Sequence, residues 1–240
     1  MSRLVDLSHT IEHGMITYKG LPAPVISEYL TREGSRGRYG PGVEFQIGKI
    51  EMIANTGTYI DSPFHRYADG PDLAKVELES LADLEGIVVH HVGAAERALE
   101  LAAFSDLAVK SPTVNTRAIS SEQIAHLDVS GKAVLFHTGW DMRWRTEEYA
   151  NGNHPFLTEE AAEHLANHGA ALVGIDSLNI DDTTTGARPV HSILLAHGIP
   201  IVEHLCGLRE LPDMGFRFFA IPPKIRNFSS FPVRAFGVLY

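Results

Sequence analysis

Short apolar runs rich in Val, Ile and Phe recur along the 240 residues: VEFQIGKIEMI, GIVVHHV, KAVLFHTG, AALVGID, IPIVEHL and FRFFAIP. Runs of this length and β-branched content predict strands, several of them largely buried. Longer stretches with helical signals are fewer. SSEQIAHL opens on serines that can cap exposed amides. TEEAAEHLANHG has a Thr N-cap, early acids that suit the helix dipole, and Gly169 as a stop. PVHSILLAHG carries Pro near its start and Gly198 at its end, the expected asymmetry. Strands outnumber helices, which predicts a strand-rich mixed α/β domain and not a doubly wound sheet. No repeat, heptad or long linker divides the chain, so one domain over 1–240 is expected. REGSRGRYGPG, residues 32–42, holds four glycines and a proline and reads as a solvated loop. Its alternative is a lid whose Arg32, Arg36 and Arg38 hold a substrate carboxylate.

Composition narrows the partners. With 20 basic against 30 acidic residues the formal charge is −10, which disfavours nucleic acid or an anionic membrane. No apolar run approaches the roughly 20 residues of a membrane span. The start, MSRLVDLSHTIEHG, lacks the apolar segment of an export signal. The single cysteine, Cys206, excludes an intrachain disulfide and fits a reducing cytoplasm.

Two stretches carry candidate chemistry. MIANTGTYIDSPFHRY, residues 52–67, sets Asp61 and His65 four apart in a segment broken by Pro63, so no helix aligns them. TGTYID reads as a short strand or tight turn, and in a strand Tyr59 and Asp61 share a face. An Asp before Ser-Pro is also a common turn cap. RPVHSILLAHGIPIVEHL puts His191 in a helical stretch and Glu203 in the next strand. Glu203 stands inside an apolar run, where a carboxylate requires a partner or a cation. A structural pairing with a nearby Arg or His satisfies the same demand. In DSLNIDDTTTG, Asp176 is placed to orient a ligand, whereas Asp181 and Asp182 read as solvated turn residues. FHTGWD ends another strand, with Trp140 either walling an aromatic pocket or packing in the core. There is no G-x-S-x-G elbow, P-loop or G-x-G-x-x-G fingerprint. A lone buried cysteine is usually a small hydrophobe, which argues against a thiol mechanism.

In this order along the chain, LVDLSHTIEHGM, NTGTYIDSPFH, VLFHTGWD, LVGIDSLNIDD, RPVHSILLAHGIPIVEHL and PPKIRNFSSFPVRAFG resemble the cyclase family of metal-dependent hydrolases, of the arylformamidase and isatin-hydrolase kind. The resemblance implies a swivelling β/β/α fold, assembly as a homodimer or homotetramer, and hydrolysis of a small aryl formamide or lactam with zinc or manganese. Its H-x-G-T-H-x-D-x-P-x-H signature is matched at Gly57, Thr58, Asp61, Pro63 and His65, while Asn55 and Tyr59 replace the two leading histidines. An amide oxygen is a weak ligand, and a phenol with a reference pKa of about 10 must lose a proton to bind strongly. The metal position built on those histidines is therefore expected to be lost or weakened. The family's second ligand set matches Asp61, His191 and Glu203, which implies one divalent metal ion. His65 matches the catalytic histidine. Tyr59 is expected as an oxyanion donor, with Asn55 and Trp140 on the substrate side. A silent binding protein that keeps the fold, or a metal-dependent lyase or cyclase, are the alternatives.

Overall fold

Buried parallel strands form the middle of the molecule, because their apolar runs must serve a core on each side of one sheet. The computed structural model describes residues 2–92 and 117–240. In chain order the strands are β1 (Arg3–Asp6), β2 (Val25–Leu30), β3 (Ile47–Glu51), β4 (Tyr59–Asp61), β5 (Leu84–His90), β6 (Ala118–Ile119) and β7 (Ala133–His137). They continue with β8 (Phe156–Leu157), β9 (Leu172–Ile175), β10 (Ile201–Glu203), β11 (Phe216–Phe219), β12 (Ser230–Pro232) and β13 (Phe236–Leu239). Nine of these make a mixed sheet in the order β1-β13-β11-β5-β7-β9-β10-β4-β12. Neighbours from β5 to β10 pair in parallel, and the strands on both flanks pair antiparallel. This is the strand-rich mixed α/β architecture that the apolar pattern and the family resemblance imply.

Alternation within the central strands divides the core in two. Ile87, Val89, Val134, Phe136, Val173 and Ile175 face one cluster, where α2 (Glu159–Asn167) and α3 (Pro189–Ala196) pack through Leu165, Val190 and Leu194. Val88, Leu135, Leu172 and Val202 face the other, against Ile60, Leu205 and Phe218. The Thr158 hydroxyl accepts from Ala161 N at the start of α2, as its cap signal indicates. Among the described residues no helix is long and apolar enough to cross a membrane.

Two local expectations change. SSEQIAHL makes only a 3-10 turn, Ser121–Gln123, without a serine side-chain cap. Without a side-chain cap on its first amides, the single turn does not repay helix nucleation. Within 32–42, Arg32–Ser35 forms one helical turn, α1, because the Thr31 hydroxyl accepts from Gly34 N. Among the described residues β2 and β3 pair only with each other, and every residue of β3 is exposed.

Candidate metal centre

Strand register collects the polar side chains. Glu203 pairs with Tyr59 and Ile201 with Asp61 across β10 and β4, while Ser230 pairs with Asp61 across β12 and β4. Directly opposed residues share a sheet face, and residues two apart on one strand do too. Tyr59, Asp61, Glu203 and Ser230 are therefore presented on one side of three adjacent strands. The turn that leads into β4 needs Gly57, whose φ is +66°; a Cβ there would also lie 3.1 Å from Ile11 Cγ1. The 3-10 turn Pro63–His65 adds His65, and α3 adds His191.

Asp181 fixes the imidazole of His191. Its carboxylate accepts from Val190 N at 2.8 Å, His191 N at 3.1 Å and His191 Nδ1 at 2.6 Å. It thus caps the positive end of α3 and, by accepting from Nδ1–H, leaves Nε2 as the nitrogen open to a cation or to a second proton. Nε2 lies 3.7 Å from Asp61 Oδ2 and 3.7 Å from Glu203 Oε1. Asp61 Oδ2 is buried and has no hydrogen-bond partner among the described residues. Asp61, His65 and His191 present ligand atoms within 4.8 Å of one another. Ligands on one cation at about 2.0–2.2 Å stand about 3–3.5 Å apart, close to these spacings. An orphaned carboxylate oxygen and the imidazoles of His65 and His191 fit a divalent cation, and the Glu203 carboxylate lies beside them, 3.7 Å from His191 Nε2.

The electrostatics agree. Burial alone would lower the pKa of His191, but the hydrogen bond to Asp181 and the nearby carboxylates of Asp61 and Glu203 push it up to about 10. Positive charge is thus strongly favoured at this spot. Burial raises the pKa of Glu203. It raises that of Tyr59 well above the phenol range, with the charge of Glu203 adding to the effect. Tyr59 therefore stays a phenol, a poor replacement for a histidine ligand.

Glu203 is held by its surroundings. Ile180 N donates to Oε1 at 2.7 Å, and the Tyr59 hydroxyl and Asn179 Nδ2 donate to Oε2. The Tyr18 hydroxyl lies 2.8 Å from that of Tyr59 and donates to Leu178 O at 2.7 Å. Tyr59 has one hydroxyl proton, and Glu203 takes it, so the expected oxyanion-donor role gives way to that of a holder of Glu203.

His65 is partly exposed beside this centre. Its Nδ1 is 3.0 Å from Ser230 Oγ, which donates to Asp61 Oδ1. An ionised carboxylate only accepts, so the single serine proton goes to Asp61 and His65 Nδ1–H donates to the serine. The His65 lone pair is then on Nε2.

A cleft of about 310 Å³ is lined by Tyr59, His65, His191 and Glu203, with Asn55, Tyr18, Arg66 and Arg188 also on its wall. Asn55 is thus at the cleft. Trp140 is not on its wall: it is buried against Tyr149 and Leu178, and its Nε1 donates to Tyr149 O. Asp176 is also structural, buried and bound to the Thr138 and Gly139 amides. No residue of 32–42 lines the cleft, and Arg36 pairs with Glu44. Asp182 is a turn residue that bonds Thr184, but Asp181 is 1% exposed, contrary to the solvated reading. Sequence reasoning missed Asp181, Ser230 and Tyr18. Asp181 lies nine residues before Val190, the spacing of a loop that returns to a helix start, which is a weak local signal. Ser230 has no such signal, since its contact with Asp61 spans 169 positions.

Residues 5–182 match the family model described as "Putative cyclase". Kynurenine formamidase of Bacillus cytotoxicus is 25% identical over 239 residues, covering 98% of this chain and 96% of its own. That of Geobacillus thermodenitrificans is 28% identical over 191 residues, with 79% and 78% covered. A solved structure described as a potential metal-dependent hydrolase with cyclase activity superposes with a TM-score of 0.73 at 25% identity, over 100% of this chain and 99% of that one. Isatin hydrolase A from Labrenzia aggregata gives 0.78 at 22% identity, over 99% and 94%, and at that identity speaks for the fold alone.

Proposed function

The chain belongs to the cyclase family, and from that membership we propose that it is a metal-dependent hydrolase of a small aryl formamide or lactam, working with one divalent cation, zinc or manganese. The observation that carries the reading is the unpartnered Asp61 Oδ2, which faces His191 Nε2 beside Glu203 in a buried setting. Kinship with the kynurenine formamidases supports the amide substrate.

Asp61, His191 and Glu203 would hold the cation. When bound, it supplies the positive field that polarises an amide carbonyl and lets water attack near neutral pH. His65 Nε2 takes the proton from the attacking water and returns it to the leaving nitrogen. Ser230 keeps His65 in the required tautomer, and Tyr59 with Tyr18 keeps Glu203 in place. Asn55 lines the substrate side. Two carboxylates and one imidazole make an oxygen-rich set that suits manganese as well as zinc. With Asn55 and a phenolic Tyr59 at the positions of the missing histidines, one cation is the expected complement.

The test is metal reconstitution followed by assay with formanilide in ¹⁸O-labelled water. One equivalent of bound metal, solvent oxygen in the released formate and loss of turnover in chelator are expected. Full activity in chelator, or less than one equivalent after reconstitution, defeats the proposal.

In this reading the enzyme works in the cytoplasm as a homodimer or homotetramer. The β2–β3 hairpin supports self-association, because a two-stranded unit is marginal by itself in water. It exposes Ile26, Tyr29, Phe45, Ile47 and Ile50. Residues 25–51 also carry four acids and four bases, so this arm is neutral in a chain of charge −10. Light scattering at micromolar concentration is expected to give a multiple of 26.3 kDa; a monomer mass refutes the assembly.

A further inference from the structure

We propose that the substrate carries a carboxylate, and that Arg66 and Arg188 bind it at the mouth of the cleft; this rests on the hydrolase reading above. Acids outnumber bases in the chain, 30 to 20, and most described arginines have a carboxylate partner, as in Arg3 with Glu210 and Arg217 with Asp83. Arg66 and Arg188 both line the cleft, and among the described residues neither forms an ion pair. In so acidic a chain, two unneutralised guanidinium groups at the reactive cleft are a specific feature.

Neutral acceptors position them instead. Arg66 Nε donates to Ser192 Oγ at 3.2 Å, and its guanidinium lies 5.3 Å from the centre of the Tyr67 ring. Arg188 Nη1 donates to the carbonyls of Thr185 at 2.9 Å and Ala187 at 2.6 Å. Ser192 Oγ in turn donates to Arg188 O at 2.8 Å, so one serine ties the two arginine residues together. These contacts orient both cations without cancelling their charge. Both Nη atoms of Arg66, and Nε and Nη2 of Arg188, make no hydrogen bond among the described residues, which leaves planar donor forks for a carboxylate.

Their place along the chain sets the direction of binding. Arg66 follows His65, and Arg188 immediately precedes α3, whose third residue is His191. Glu203 puts a buried carboxylate at the floor of the cleft, while half-buried Arg188 and exposed Arg66 stand nearer solvent, at its rim. A carboxylate-bearing aryl formamide is repelled from the floor and attracted to the rim, so its amide end enters first. The lid role considered for Arg32, Arg36 and Arg38 thus passes to a different pair.

The test compares kcat/KM for N-formylanthranilate with that for uncharged formanilide. The wild-type protein is expected to favour the carboxylate, and the ratio should fall at least tenfold in R66Q/R188Q. Arg66→Gln alone, at an exposed site, should lower it severalfold if the Arg188 change disturbs folding. A ratio unmoved in both variants, or a wild-type preference for formanilide, overturns the proposal. Calorimetric binding of anthranilate, weakened at least tenfold in R66Q/R188Q, reads the same contact without turnover. Arginine-dependent anthranilate binding without any amide hydrolysis would sink the hydrolase reading alone. Hydrolysis without carboxylate preference would sink this inference alone.

Discussion

His65→Ala is expected to remove amide hydrolysis while the protein keeps its divalent cation. The expectation follows from proton positions. Ser230 donates to Asp61, His65 donates to Ser230, and the remaining lone pair on Nε2 is free to take a proton. A positioned acid–base group contributes roughly 10²–10⁴ in rate, so kcat should fall by about that factor. Elemental analysis of the purified variant should still find one equivalent of metal, since Asp61, His191 and Glu203 are unchanged. Loss of the metal would make His65 a ligand instead, a real competitor because one of its ring nitrogens lies within 4.8 Å of ligand atoms of Asp61 and His191.

The second large effect is expected at a residue outside the proposed ligand set. Asp181→Ala should lower metal affinity by roughly 10–100-fold, the usual cost of losing the carboxylate behind a ligating imidazole. Asp181 accepts three hydrogen bonds, two from the first amides of α3 and one from His191 Nδ1. Without it the ring is free to rotate, and three buried donors lose their acceptor. Stability of the metal-free protein should fall by about 3 kcal/mol, measured by urea unfolding. Metal affinity equal to wild type by competition with a chelator dye would show that His191 needs no such support, and would count against its role as a ligand.

Legibility differed from element to element for identifiable reasons. The central strands could be read because burial on both faces leaves a continuous apolar run in the sequence itself, as in AVLFH of β7. The short 3-10 turn at Ser121–Gln123 could not, since its cap residues resemble those of a helix and the chain's onward path decides the outcome. Trp140 was ambiguous on composition alone: an indole serves a pocket wall or a core equally well. Its burial with Tyr149 and Leu178 is a matter of where those distant residues lie. Asp181 looked like a solvated turn residue because its neighbours are polar, yet the amides of α3 bury it.

By itself the sequence determined the residue types available for a cation, the strand-rich pattern, and the presence of Asn55 and Tyr59 where the signature it resembles has histidines. Those properties reside in single positions or in neighbours a few residues apart. Tertiary structure decided which polar groups meet. Asp61 reaches Ser230 and His191 only through strand pairing and the packing of α3, and Tyr59 is committed to Glu203 by the register of β4 with β10. Such register depends on burying both faces of the sheet at once, and a slip of one residue would turn every one of these side chains to the opposite face.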